Sequence, residues 1–222
     1  MITTTLKRLL DVSPCTLDHV MFTDKEGDNK NNNVADTSEP THDDQRHVGR
    51  DNDDATVPHG RKLPIYWLCH NESDDALSVM ANDDCADLKF RSECRFLKLT
   101  LKDPPFSPAT APLKDDETKV DDISKVGTNI LYDDEWIRIW EFRLQPQEEC
   151  DYHVHKLRYC FTNISMSSVT QELSKEFEPV GEPKTQVQGQ TIYVTKDLLG
   201  SHGVRNVGNT TFLQFIVEFK WE

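Results

Sequence analysis

The sequence predicts an all-β protein whose C-terminal part, residues 127–222, forms a closed or sandwiched antiparallel barrel. Three observations predict it. From about residue 128 onward, short segments alternate apolar and polar side chains with the period of a half-buried strand, and turn residues separate them. Hardly any segment carries the i, i+3, i+4 apolar spacing of an amphipathic helix. Two polar tracts set this dense region apart from the first half of the chain.

Taken in order, residues 1–23 open with a Thr-rich, basic stretch, Met1 to Leu10, that has no acid before Asp11. It reads as an amphipathic first helix, with an organelle transit peptide as the second reading. Residues 24–61 hold ten acids and five bases among scattered valines and alanines. Such a segment cannot bury enough apolar surface to offset the entropy of ordering it, so disorder is expected. Residues 62–102 contain two predicted strands, Leu63 to Cys69 and Cys94 to Leu101. In the second, Phe96, Lys98 and Thr100 alternate with Leu97, Leu99 and Leu101. A block of this size is too small to be stable alone, so it is expected to pack on the barrel. Residues 103–126, with Pro104, Pro105, Pro108 and Pro112, read as a linker.

In the barrel the predicted strands are Asn129 to Tyr132, Trp136 to Leu144, Asp151 to His155, Arg158 to Ile164, Ser167 to Leu173, Thr191 to Thr195, Gly203 to Val207 and Thr211 to Phe219. Residues 174–190, interrupted by Pro179, Gly181, Pro183 and Gly189, are predicted to be a loop. Short antiparallel strands at this spacing suit a sandwich or barrel.

Composition narrows the function classes. The net charge of −14 is a poor match for a nucleic-acid binder, which needs a concentrated basic face. No run of about eighteen apolar residues exists to span a membrane. Six cysteines without a CxxC pair are expected to be free thiols in a reducing compartment. The expected location is therefore cytoplasmic, or an organelle matrix if residues 1–23 are a transit peptide.

The chemistry lies in the last hundred residues. Side chains two apart on a strand point the same way, so His153 and His155 project together. His202, from a neighbouring strand, would complete a three-imidazole site for a divalent metal with positions left open for water or substrate. Asp151 shares their parity and is a candidate further ligand or a group orienting a histidine, with a solvated strand-end acid as the plainer expectation. Arg138 interrupts the apolar face of Trp136, Trp140, Phe142 and Leu144, where it would bind a substrate carboxylate or pair with an acid. Asn206, four residues after His202, is expected to organise a turn through its side chain. Arg158 and Arg205 are expected to be outward and solvated.

These residues carry a resemblance to the cupin superfamily. Pro146 to His155 resembles its first motif, a glycine-led turn, five residues and His-x-His, with Gln147 in the place of the glycine. Val194 to Asn206 resembles the second motif through its ending, His202-Gly-Val-Arg-Asn206; Asp197 and Leu199 occupy the places of its proline and glycine. Asn129 to Leu144 is similar to the strand that precedes the first motif in small bacterial cupins, among them those named for β-alanine degradation. The resemblance spans about residues 127–221 and implies a double-stranded β-helix, or jelly-roll barrel, holding Fe, Zn, Mn or Ni at His153, His155 and His202. The glutamate that the first motif supplies four or five residues after its second histidine is missing. Tyr159 and Cys160 stand there instead, the first a candidate neighbour of a small-molecule substrate, the second a candidate thiolate ligand or a buried apolar residue. The implied roles are a metal-dependent dioxygenase, isomerase or lyase acting on a small polar metabolite, a non-catalytic small-molecule binding module, or a homodimeric interaction scaffold. Neither nucleic acid nor membrane is an expected partner.

Overall fold

The computed structural model describes residues 2–12, 15–24, 65–81, 94–101, 118–121 and 124–221. Its described residues form fourteen strands in three antiparallel sheets. The expectations of disorder over 24–61 and of a linker over 103–126 fall almost wholly outside the described residues.

The first sheet is N-terminal. It runs β1 (Ile2–Val12), β2 (Cys15–Asp24), β5 (Cys94–Leu101), β3 (Ile65–Asn71) and β4 (Ala76–Ala81), neighbour to neighbour. The helix expected over 1–23 is thus a hairpin, β1 paired with β2 from Ile2 opposite Asp24 to Val12 opposite Cys15. The β-branched run Thr3-Thr4-Thr5 suits a strand better than a helix. The deciding contact is remote in sequence: β2 pairs with β5 from Cys15 opposite Leu101 to Val20 opposite Phe96.

The barrel consists of eight strands, β7 (Ile137–Leu144), β8 (Glu149–Val154), β9 (Tyr159–Asn163), β10 (Ser167–Leu173), β11 (Pro179–Val187), β12 (Thr191–Val194), β13 (Ser201–Asn206) and β14 (Phe212–Phe219). One sheet has the order β7-β14-β9-β12, extended at its edge by β6 (Asn129–Asp133); the other has β8-β13-β10-β11. Successive strands alternate between the sheets over most of the chain, and the first and last strands pair. That interleaving is the double-stranded β-helix, two Greek keys closed on each other.

β11 corrects the predicted loop over 174–190. It is an edge strand, exposed almost throughout, and edges tolerate proline because one side needs no ladder donor. Gly181 has φ +68°, where the register with β10 shifts between Thr170 and Glu172.

β14 explains how the two halves join. Its odd residues Leu213, Phe215, Val217 and Phe219 share a buried cluster with Leu17, Leu68, Leu97, Leu99 and Leu101 of the N-terminal sheet. Its even residues Phe212 and Ile216 turn into the barrel with Val126, Trp140, Phe142, Leu144 and Tyr159. One strand therefore closes two cores, and the N-terminal block forms a layer against the barrel's outer face rather than adding a strand to it. Arg158 is not solvated as expected: its Nε and Nη2 are buried without a partner and its Cζ lies 5.3 Å from the centre of the Trp221 ring. Among the described residues no helix is long and apolar enough to cross a membrane.

Candidate metal centre

β8 and β13 pair with His153 opposite His202, and His155 follows at the end of β8 with its N–H donating to the Gly200 carbonyl. Each histidine offers one ligand nitrogen, and the three lie within 4.8 Å of one another. His155 Nε2 and His202 Nε2 are 3.3 Å apart. Nitrogens bound to a single ion at about 2.0–2.1 Å would sit about 3.0–3.4 Å apart, so this pair is spaced for a shared metal. His153 Nδ1 lies 3.0 Å from the Asp151 carbonyl, to which it donates, leaving Nε2 with its lone pair free. Burial holds His153 down to about 4 and His155 down to about 3; it lowers His202 as well. All three rings are neutral at pH 7, the form a metal requires. His155 Nδ1, by contrast, is buried without a partner. Three imidazoles form a donor set that suits a divalent transition-metal ion.

The turn that launches β8 shows why the first motif starts on glycine. Gln147, in the glycine's place, has φ +68° and adopts the left-handed conformation at a cost of about 1 kcal/mol. Its backbone N–H donates to the Asn206 carbonyl, which ties the two motif strands together. Asn206 is fully buried and donates to the carbonyls of Leu144 and Thr210 while accepting from the Gly208 N–H, the turn-organising role expected of it.

The remaining candidates divide. Tyr159 joins the histidines, its ring stacked on His155 at 4.2 Å and 13°; burial pushes its phenol up to about 12, so it stays protonated. Asp151 does not. A bulge sets Asp151 and Tyr152 opposite Gly203 alone, because His202 pairs with His153 and Val204 with Cys150. That extra residue reverses the parity, leaving the Asp151 side chain exposed and turning Cys150 toward the barrel interior. Asp151 serves through its carbonyl only. Cys160 is not a ligand either: it faces the opposite side of β9 from Tyr159, in the core shared with Cys15. A hydrogen bond with the Cys15 thiol, together with burial, holds it well above the ordinary thiol value, which removes the thiolate reading. Arg138 lies outside the histidine cavity. Its Nη2 donates to the Thr118 carbonyl at 2.9 Å and to Asp133 at 3.2 Å, and Nη1 reaches Glu218 at 3.5 Å. The guanidinium is spent on protein acids and carbonyls, so the substrate-carboxylate reading is withdrawn.

The histidines and Tyr159 line a cavity of about 280 Å³, whose apolar walls include Phe142, Phe161, Phe212 and Ile216. That volume is near the lower bound of about 300 Å³ for small-molecule pockets, room for a small metabolite and not for a dinucleotide. Two lining residues escaped the sequence reading. The charge of Glu172 pulls His202 upward against burial, and Glu172 pairs with Lys184 at 2.8 Å on the exposed rim. Gln214 sits on the inner face of β14. Strand parity offered a signal for both, but only the strand order shows which face is inside.

No family model and no curated protein matches the sequence. Solved structures similar to it are cupins. One is a cupin domain from Bordetella pertussis, 21% identical, covering 41% of this chain and 90% of that one with a TM-score of 0.36. Another is an RmlC-like cupin family protein with a double-stranded β-helix fold from Methanocaldococcus jannaschii, 15% identical, covering 46% and 87%, TM-score 0.33. A cupin 2 conserved barrel domain protein from Leptotrichia buccalis is 10% identical over 98% of this chain and 89% of that one, TM-score 0.39. The strand order above gives the double-stranded β-helix directly.

Proposed function

We propose that this protein holds a divalent metal ion at His153, His155 and His202 and acts there on a small polar metabolite. The observation that carries this reading is the convergence of three neutral imidazoles, two buried and one half-buried, in a cavity sized for such a molecule. When bound, the ion would supply Lewis-acid or oxygen-activating chemistry, and three protein ligands leave positions for substrate. The chain's own residues do the rest. The Asp151 carbonyl fixes the His153 tautomer, Tyr159 packs His155 in place as a neutral phenol, and Phe142, Phe161 and Phe212 give the site apolar walls. The reaction is of the dioxygenase, isomerase or lyase kind.

One observation favours a second reading, a binding module that does not turn its ligand over. No carboxylate joins the three histidines among the described residues, and His155 Nδ1 lacks the partner that usually orients a metal ligand. A homodimer through a strand edge fits the exposed β11.

Elemental analysis of the purified protein tests the proposal. It should find about one iron, zinc, manganese or nickel ion per chain, lost in the His153→Ala/His155→Ala variant. A wild type that arrives metal-free and takes up no added metal overturns it.

A further inference from the structure

At the opposite end of β9 from Tyr159, neutral amides and hydroxyls line the same cavity. Asn163, 1% exposed at the end of β9, is their hub. Its Nδ2 donates to Gln186 Oε1 at 3.0 Å and to Gln190 Oε1 at 3.2 Å, and its Oδ1 accepts from Gln214 Nε2 at 2.8 Å. Gln186 Nε2 in turn donates to Thr170 Oγ1 at 2.8 Å. Both Asn163 hydrogens are used, and its oxygen is engaged as well. The direction of every amide around it follows from that. Gln214 keeps Oε1 and one Nε2 hydrogen, and Gln190 keeps both Nε2 hydrogens, without a further protein partner among the described residues, and both side chains line the cavity.

A relay this complete is more than filler for a core. Buried side-chain amides cost free energy unless every group is satisfied, and an apolar residue at Gln214 would fill the same space more cheaply. Here the network leaves both donor and acceptor capacity on the cavity side. Those groups complement hydroxyls, which both donate and accept. They carry no charge, so a carboxylate or an ammonium group would lose its hydration there without a counter-ion. The cavity's two cavity-lining charges, Glu172 and Lys184, already pair with each other.

We infer that the amide end is a specificity subsite for a neutral, hydroxyl-bearing tail, and that the substrate class is a small polyhydroxylated acid. The acid end of this assignment rests on the metal reading above, because a divalent ion held by three neutral imidazoles would keep its positive charge for an anionic oxygen; the hydroxyl end rests on the amides alone. Isothermal titration of the protein, with its metal content measured, against three acids of equal chain length separates the two. D-gluconate carries a neutral polyhydroxyl tail, 2-hydroxyhexanoate an apolar one, and D-glucarate a charged one. Gluconate should bind about tenfold tighter than either comparison. Gln214→Leu and Gln190→Leu should each remove that preference with metal content unchanged; two variants on different elements guard against one that fails to fold. Gluconate preference in a protein that holds no metal would uphold the subsite and sink the metal reading. A metal-loaded protein that binds gluconate no tighter than 2-hydroxyhexanoate, or not at all at millimolar concentration, overturns the subsite and leaves the metal reading standing.

Discussion

At the scale of single residues, Arg138 shows how a charge on an apolar face is accounted for. It and Glu218 are 5% and 3% exposed, and Glu218 Oε2 also accepts from Trp140 Nε1 at 2.7 Å. Burial raises the Glu218 carboxyl; Trp140 and Arg138 pull it back down. Arg138→Met should therefore cost about 3–5 kcal/mol at neutral pH, because it strands a buried carboxylate. The pH dependence has a definite sign. Without Arg138 the folded-state pKa of Glu218 rises further above the unfolded value, so the folded variant takes up a proton before the unfolded chain does. Its stability deficit relative to wild type then shrinks as pH falls toward the ordinary carboxylate range. Urea midpoints of the two proteins at neutral and mildly acidic pH measure this. A deficit that stays constant or grows on acidification would contradict the assignment, as would loss of metal in the variant.

At the scale of elements, Gly127 shows what lets β6 lie along β7. A Cβ there would stand 2.6 Å from Trp140 Cβ and 2.7 Å from the Glu141 carbonyl oxygen, both fixed by the strand. The next residue donates its N–H to that same carbonyl at 2.7 Å. Gly127→Ala should cost about 1–3 kcal/mol by forcing the segment off β7, while metal retention is unaffected. Thermal unfolding equal to wild type would mean the approach is looser than the geometry indicates. Elements are also where legibility in the sequence divides. Strands with a clean period of two, β5, β7, β10 and β14, were readable because alternation is a local property. β11 was not, since Pro179, Gly181 and Pro183 are loop signals and only its position at an edge makes them tolerable. Nor was the β1–β2 hairpin, whose partner β5 lies some eighty residues away. The site followed the same rule. His153 and His155 were legible from parity and motif, but one bulged residue reversed the parity of Asp151, and Cys160 was lost to the far side of β9. Glu172 and the amides needed the strand order itself.

At the scale of the molecule, the N-terminal sheet and the barrel share a single apolar layer rather than meeting at an interface between separate cores. Leu17, Leu68, Leu99 and Leu101 on one side and Phe215, Val217 and Phe219 on the other are at most 2% exposed and belong to one apolar cluster. Neither sheet can expose its half of that layer without losing the burial that stabilises it, at roughly 25 cal/mol per Å² of apolar surface. Two cores joined in this way melt together, so unfolding should be one cooperative transition. Phe215→Ala, which opens a cavity at the centre of the layer, should lower stability by about 3–5 kcal/mol, or about 6–20 °C in melting temperature. The diagnostic feature is the shape of the melt. Tryptophan fluorescence reports on the barrel through Trp140 and Trp221 and on the N-terminal sheet through Trp67, while far-ultraviolet circular dichroism reports on all three sheets. In wild type and variant alike these probes should trace coincident curves, both moved down by the same amount. Two separated transitions, with only the earlier one moved by Phe215→Ala, would show the sheets to be independent and the shared layer to be a contact rather than a core.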